Sequence, residues 1–377
     1  MNIKIYTMTH QSFDVPTDSM YVPLQVGRAT HADLGYLCDN SGDNISNLNC
    51  YYSELTGVYW VWKNFHDADY VGVCHYRRYL LNDLGYIFTK PELEALFQSY
   101  DILTSKKLTL NFSYAYGFGE NHAPEDLEAT GEVIQRLYPD YYPLYEQRVH
   151  ENHTYFGNIM ICSKATYDAY CSWLFPIFFE LQTILDLDSY DDYHKRLYGF
   201  ISEFLLMIWV EHQHLRVKEC KVGIIGAKKE TTDVKNTLAV YFKKKDYIHA
   251  KEYFLSVRAK RPDILMEASD INRELHLSLQ VIATCEEDPI LLDYHSEFNE
   301  LMDYMNQLNS AILRLKAHES TPTDHAFLNQ SDVFSAAIKI SILLHSTSPA
   351  EQNMVLDQLA FLLQDKAKYH ALKSYFI

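Results

Sequence analysis

The chain has 377 residues, 47% of them apolar and 22% charged, enough for a full hydrophobic core in two domains and unlike a disordered composition. Its net charge of −17 argues against a nucleic-acid partner held on a basic surface, so an anionic ligand must find locally concentrated cations. Seven scattered cysteines, without a CxxC or a His–Cys zinc spacing, read as reduced core residues of a cytosolic protein, and no apolar run reaches the roughly 18 residues of a spanning helix.

Asn2 to Met8 reads as a first strand ending at Thr9-His10, entered directly from Met1, so no leader peptide is expected. Tyr21 to Gly27 is a second extended piece. Gly42 to Asn47 is a polar loop that can cap, through Ser46 or Asn47, a helix over about Tyr51 to Asn64. In that helix Leu55, Val58, Tyr59 and Trp62 fall at helical spacing, while Trp60 and Trp62 cannot both face inward. A strand at Val71–Cys74 follows, then a helix from Pro91 to Gln98 and a strand at Tyr100–Thr104. Thr154 to Cys162 is a further strand, Lys164 to about Leu185 a long aromatic helix, Phe200 to Trp209 a buried helix and Leu215 to Val222 a final edge strand. This alternation over 1–228 predicts an α/β domain built on a mostly parallel sheet. From 229 to 377 helical patterns follow one another, at Asn236–Lys244, Tyr247–Lys260, Ile264–Cys285, Pro289–Leu315, Asp332–Leu344 and Ala350–Tyr369, predicting an all-α second domain. The stretch Lys243 to Phe254 looks like one tetratricopeptide-type hairpin, but no period is sustained.

The most informative stretch is Tyr70-Val-Gly-Val-Cys-His-Tyr-Arg-Arg-Tyr79. A short apolar strand ends in His75, Tyr76, Arg77, Arg78 and Tyr79, the way an open α/β sheet presents groups to an anionic ligand at its carboxyl ends. Guanidinium groups fork onto phosphate oxygens, and tyrosines donate hydrogen bonds or stack. The alternative is solvated surface charge with tyrosines packed beneath. It is disfavoured because the run has no amphipathic period.

Motifs in order complete the picture: Thr9-His10, Tyr21-Val-Pro-Leu-Gln-Val-Gly27, Gly42-Asp-Asn-Ile-Ser46, Glu54-Leu-Thr-Gly-Val-Tyr-Trp-Val-Trp-Lys-Asn64, Cys74-His-Tyr-Arg-Arg-Tyr79, Asn158 ahead of Ile-Met-Ile, and Ser202-Glu-Phe-Leu-Leu206. Over 1–228 they make the chain resemble a bacterial glycosyltransferase-like family of capsule, exopolysaccharide and O-antigen gene clusters, long labelled a domain of unknown function, some of whose members are galactofuranosyltransferases. The resemblance implies a GT-A-like, Rossmann-type fold and hexosyl transfer from a UDP-sugar, with galactofuranose or galactose favoured. The acceptor it implies is a growing polysaccharide or lipid-linked oligosaccharide. The site of action would be the cytoplasm, with peripheral contact at the inner membrane face; the helical tail lies outside the resemblance and is expected to pack on the catalytic domain, mediate self-association or bind a partner enzyme.

Breaking a nucleotide–sugar bond requires the departing diphosphate to be neutralised. Many GT-A enzymes use a divalent metal on an Asp-x-Asp. Asp67-Ala-Asp69 precedes the apolar strand and should lie at its wrong end, and Asp186, Asp188, Asp191 and Asp192 read as solvated linker charge. Arg77 and Arg78 with His75 are therefore expected to replace or assist the metal; Mn²⁺ or Mg²⁺ held by Asp43 or His75 stays open. An inverting enzyme needs a base. Glu203 is the first candidate, because it interrupts the apolar run Phe200–Trp209, where a carboxylate is costly; pairing with a buried Arg or capping the helix is the structural alternative. Asp126 is the second. His10, Gln25 and Gly27 are expected on the uridine side, Asp43, Asn44 and Ser46 at ribose or sugar hydroxyls or capping the helix, and His153, Tyr155 and Asn158 on the acceptor side. Rival readings are a retaining hexosyltransferase on the same fold and a non-catalytic nucleotide-sugar-binding scaffold.

Overall fold

The computed structural model describes residues 1–226, 228–266 and 269–376, and the chain divides into two compact units, 1–226 and 227–377. The first carries ten strands: β1 (Ile3–Thr9), β2 (Tyr21–Gln25), β3 (Leu37–Cys38), β4 (Tyr70–His75), β5 (Arg78–Leu81), β6 (Ile102–Ser105), β7 (Leu108–Thr109), β8 (His153–Thr154), β9 (Met160–Ser163) and β10 (Val217–Ile224). β7 and β8 form a separate ribbon, and the other eight share one sheet.

Alternation along β1 and β4 sends side chains to two cores. Ile3, Ile5 and Cys74 join Tyr79, Leu93, Phe97 and Ile161 on one face. Tyr6, Met8, Val71 and Val73 join the helices Leu55–Asn64, Lys164–Ile184 and Leu197–His212 on the other. Burial on both faces is why these strands read as continuous apolar runs. Gly57 sits where the helix Leu55–Asn64 meets the sheet: a Cβ there would stand 2.5 Å from the Met8 sulfur, so only glycine permits the approach.

The sheet is mixed rather than mostly parallel, which corrects the expectation. β1 pairs in parallel with β2 and β4, β2 with β3 and β6 with β10, whereas β9 runs antiparallel to both β4 and β6. β5 also runs antiparallel to β4 and β10, so the pairing β4–β5–β10–β6–β9–β4 closes a ring. The reason is local: after His75 the chain turns at once through Tyr76-Arg77 and returns as β5. β10 is consequently covered by β5 and is not an edge. The strand expected over 154–162 is interrupted, because Gly157 (φ +98°) and Asn158 (φ +46°) are left-handed.

In the second unit the described elements are helices. Lys229–Lys243 and Tyr247–Lys260 form the first pair. The helix expected over 264–285 includes 267 and 268, which lie outside the described residues; around them stand a single turn at Pro262–Leu265 and a helix at Glu274–Glu287. The pattern over 289–315 resolves into Leu291–Tyr294 and Phe298–Lys316. Pro322–Leu328, Ser335–His345, Pro349–Leu362 and Lys366–Ser374 complete the unit around Leu238, Phe254, Val281, Met305 and Ile338. Among the described residues no helix is long and apolar enough to cross a membrane.

Candidate active site

The parallel strands β1 and β4 end side by side, which sets the His10 and Tyr76 rings edge-on at 5.4 Å, with Phe13 5.9 Å from Tyr76. Carboxyl ends of adjacent strands are where α/β sheets hold ligands. Next to them the His75 Nε2 lies 2.5 Å from the carbonyl oxygen of Gly157. Burial lowers the proton affinity of this imidazole; Glu54 opposes that and Arg78 reinforces it. Arg78 is half-buried and its backbone pairs with His75 and Ile224, but its guanidinium makes no hydrogen bond or ion pair among the described residues. Its Nη1 stands 3.8 Å from where a Cβ on Gly157 would be. A guanidinium without a contact ion pair keeps its donors for an anionic ligand.

Two carboxylates stand in the same group of residues. Glu203, on the helix Leu197–His212, accepts the backbone N–H of Gly157 at 2.8 Å. It sits deep among protein atoms yet keeps part of its surface open, and burial, then the charge of Glu54, pushes its pKa up to about 7 against the pull of Arg78 and Arg196. Glu54, at the head of the helix Leu55–Asn64, accepts from Asn158 Nδ2 at 2.7 Å. Asn158 is fixed by a second donation to the Gly199 carbonyl at 3.0 Å and by accepting the Ser202 hydroxyl at 2.9 Å. Arg196 donates from Nε to Ser53 Oγ at 3.2 Å, and its guanidinium lies 5.4 Å from the centre of the Phe200 ring. Left-handed backbone at Ser53 (φ +51°), Gly157 and Asn158 gathers around these groups, as strain does at functional sites. Tyr114 stacks on Phe204 at 4.0 Å and faces Glu203, whose charge adds to burial in raising the phenol's pKa.

Several sequence candidates fall elsewhere. Arg77 departs from its neighbour: Nε and Nη2 donate to the carbonyls of Ile225 and Gly226, so this guanidinium braces the end of β10 rather than pairing with Arg78. Tyr79 is buried, packs edge-on against Tyr21 and donates to the Tyr76 carbonyl. Gln25 is spent on its own loop, donating to Ala32 O and accepting from Leu34 N–H. Gly27 is left-handed, donates to Asp39 and leaves no room for a Cβ beside Asn49. Asp43 accepts the Tyr59 hydroxyl, Asn44 closes a turn between Gly42 and Ser46, and Ser46 donates to Asp39. All are polar groups turned to local structure.

Tyr155 donates to Glu219 at 3.4 Å and lines an open cleft of about 890 Å³ with Lys107, Arg148 and Glu211, whose residues include none of the Glu203 group. His153 sits on the β7–β8 ribbon opposite Thr109. Of the acceptor-side trio only Asn158 joins Glu203. Asp126 is buried and accepts the Tyr190 hydroxyl at 2.7 Å, with burial raising its pKa; no contact connects it to Glu203 or Arg78. Asp69 accepts the backbone N–H of Asn2 and stands at the amino end of β4, as its position before the strand implies. Trp60 is buried and donates to Ser41, while Trp62 stacks on Phe175.

The sequence reading does not mark Glu54, Arg196, Ser202 and Tyr114 as site residues. Glu54 and Ser202 stand inside the motifs, which is the local signal they carry; Arg196 and Tyr114 carry none. Among the described residues no three His, Cys, Asp or Glu side chains gather as a metal site, and the guanidiniums of Arg78 and Arg196 beside Glu203 disfavour a cation there.

The family model described as "Domain of unknown function (DUF4422)" matches residues 4–214, and the chain belongs to that family. It is also similar to the apo structure of WbbM, a bifunctional glycosyltransferase. Identity is 29% and the TM-score 0.53, over 61% of this chain and 47% of that one, so the chain spans about half the length of the solved relative. No curated protein matches it.

Proposed function

We propose that the first unit is a GT-A-like, inverting glycosyltransferase that moves a hexosyl group from a UDP-sugar to a cell-surface polysaccharide or lipid-linked oligosaccharide. The observation that carries this is the juxtaposition, at the carboxyl end of β4, of the unpartnered Arg78 guanidinium with the deep carboxylate of Glu203. Arg78 receives the leaving diphosphate and Glu203 takes the proton of the attacking hydroxyl. A carboxyl poised near neutrality is suited to that transfer at cellular pH. The likeness to a glycosyltransferase supports the reaction class. Galactofuranose or galactose as the sugar, cytoplasmic action near the inner membrane face, and self-association or partner binding through the helical unit belong to the same proposal.

A thermal-shift screen of UDP-, GDP- and dTDP-sugars, each with and without Mn²⁺, tests it. Selective stabilisation by UDP-sugars, followed by product formation with an oligosaccharide acceptor, is expected. Indifference to every nucleotide sugar would overturn the reading.

A further inference from the structure

Gly157 and Asn158 are consecutive, both have left-handed backbone, and each holds a different carboxylate: Gly157 donates its N–H to Glu203 at 2.8 Å and Asn158 its side-chain amide to Glu54 at 2.7 Å. The two acids come from helices nearly 150 residues apart in sequence. Asn158 is itself anchored on Gly199 and Ser202, in the helix that carries Glu203, so one turn fixes both carboxylates against each other.

We propose that Glu54 is a positioning residue whose charge, held beside Glu203 by the Gly157–Asn158 turn, makes Glu203 the proton acceptor of the transfer step; this rests on the function proposed above. In that step the acceptor O–H gives its proton to a Glu203 oxygen, and the freed oxygen pair forms a bond to the anomeric carbon. The bond from that carbon to the diphosphate oxygen breaks, its electron pair leaving with the nucleoside diphosphate. A like charge beside a carboxylate favours its protonated form, so Glu203 gains basicity from Glu54 that burial alone does not supply. The other charged or titratable groups facing Glu203 are Arg78, Arg196 and Tyr114, with His75 reaching the same Gly157 through its carbonyl; the two guanidiniums oppose Glu54.

Glu54→Gln keeps the acceptor oxygen for Asn158 and removes only the charge, which makes it the informative variant. Carboxyl-carbon NMR titration of Glu203 in the full chain should show its midpoint falling by about one pH unit or more. The acid limb of kcat/KM should move down by the same amount, with kcat reduced and KM for the donor little changed. Glu54→Asp, which restores the charge, should recover much of the shift. An unmoved Glu203 midpoint in a folded Glu54→Gln protein overturns the proposal while leaving the function standing. A midpoint that moves without the rate profile overturns the role of Glu203 as base, and with it the proposal. Retained turnover in Glu203→Gln instead overturns the mechanism on which it rests.

Discussion

Arg77 donates from Nη2 to the carbonyl oxygen of Gly226 at 2.6 Å, tying the turn after β4 to the chain that leaves β10. Arg78, the next residue, has no such partner. The two arginines should therefore separate cleanly on mutation. Arg77→Ala removes charged donors from two carbonyls and is expected to cost about 1.5–3 kcal/mol of stability, read by chemical denaturation, with nucleotide affinity little changed. Arg78→Ala should leave the denaturation midpoint near that of the parent protein and weaken UDP binding by roughly ten-fold or more, measured by calorimetry. Equal losses of affinity in the two would contradict this division.

Glu203 should cost the fold stability that function demands. Its carboxyl holds a proton to about pH 7, whereas an unfolded glutamate releases it near pH 4. Between those values the native state binds more protons than the unfolded state, so stability falls as pH rises and levels out above the native value. The penalty at pH 8 is about 3–4 kcal/mol. Glu203→Gln should then melt higher than the parent at pH 8 and alike at pH 4, while losing transfer by roughly 10²–10⁴-fold. A variant no more stable at pH 8 would show that the carboxylate is solvated.

What the sequence made legible follows from how local each signal is. β4 was readable because burial on both faces leaves an unbroken apolar run, and Glu203 because one carboxylate interrupts another such run. Arg77 and Arg78 are indistinguishable as letters; only the hairpin, with Arg77 in its turn and Arg78 opening β5, assigns one to Gly226 and the other to the Glu203 group. The antiparallel β9 and the capping β5 depend on pairings across the chain that no period encodes. Gln25 and Asn44 looked like ligand groups because a polar side chain that closes a loop has the same letter as one that binds a sugar. Thr321-Pro-Thr-Asp324 is a reciprocal capping box and marks the start of the helix Pro322–Leu328.

Asp39 organises the loop beside β2 and should be a stability residue rather than a catalytic one. It is fully buried and accepts from the N–H groups of Gly27 (2.8 Å) and Arg28 (3.1 Å) and the hydroxyls of Ser46 (2.5 Å) and Thr56 (2.6 Å). Asp39→Ala leaves these donors without an acceptor away from water, for a loss of about 3 kcal/mol or more. Amide exchange over 26–56 should accelerate first. Protection unchanged there in the variant would refute the assignment.

Asp263 should make the helical unit acid-sensitive. Its oxygens accept Arg261 Nε at 2.8 Å and Lys228 Nζ at 3.0 Å, and although burial pushes the other way, these two cations hold its pKa well below the usual carboxylate range. A depressed native value means that stabilisation is present above the unfolded value near pH 4 and is lost as pH falls through the native one. Asp263→Asn leaves two partly buried cations facing a neutral amide, a loss of roughly 3 kcal/mol at pH 7. The difference from the parent should shrink steadily below pH 4 in amide exchange followed over 229–260, because acid neutralises the same carboxylate in the parent. A pH-independent difference would mean that packing around Asp263, and not its charge, holds the start of the unit.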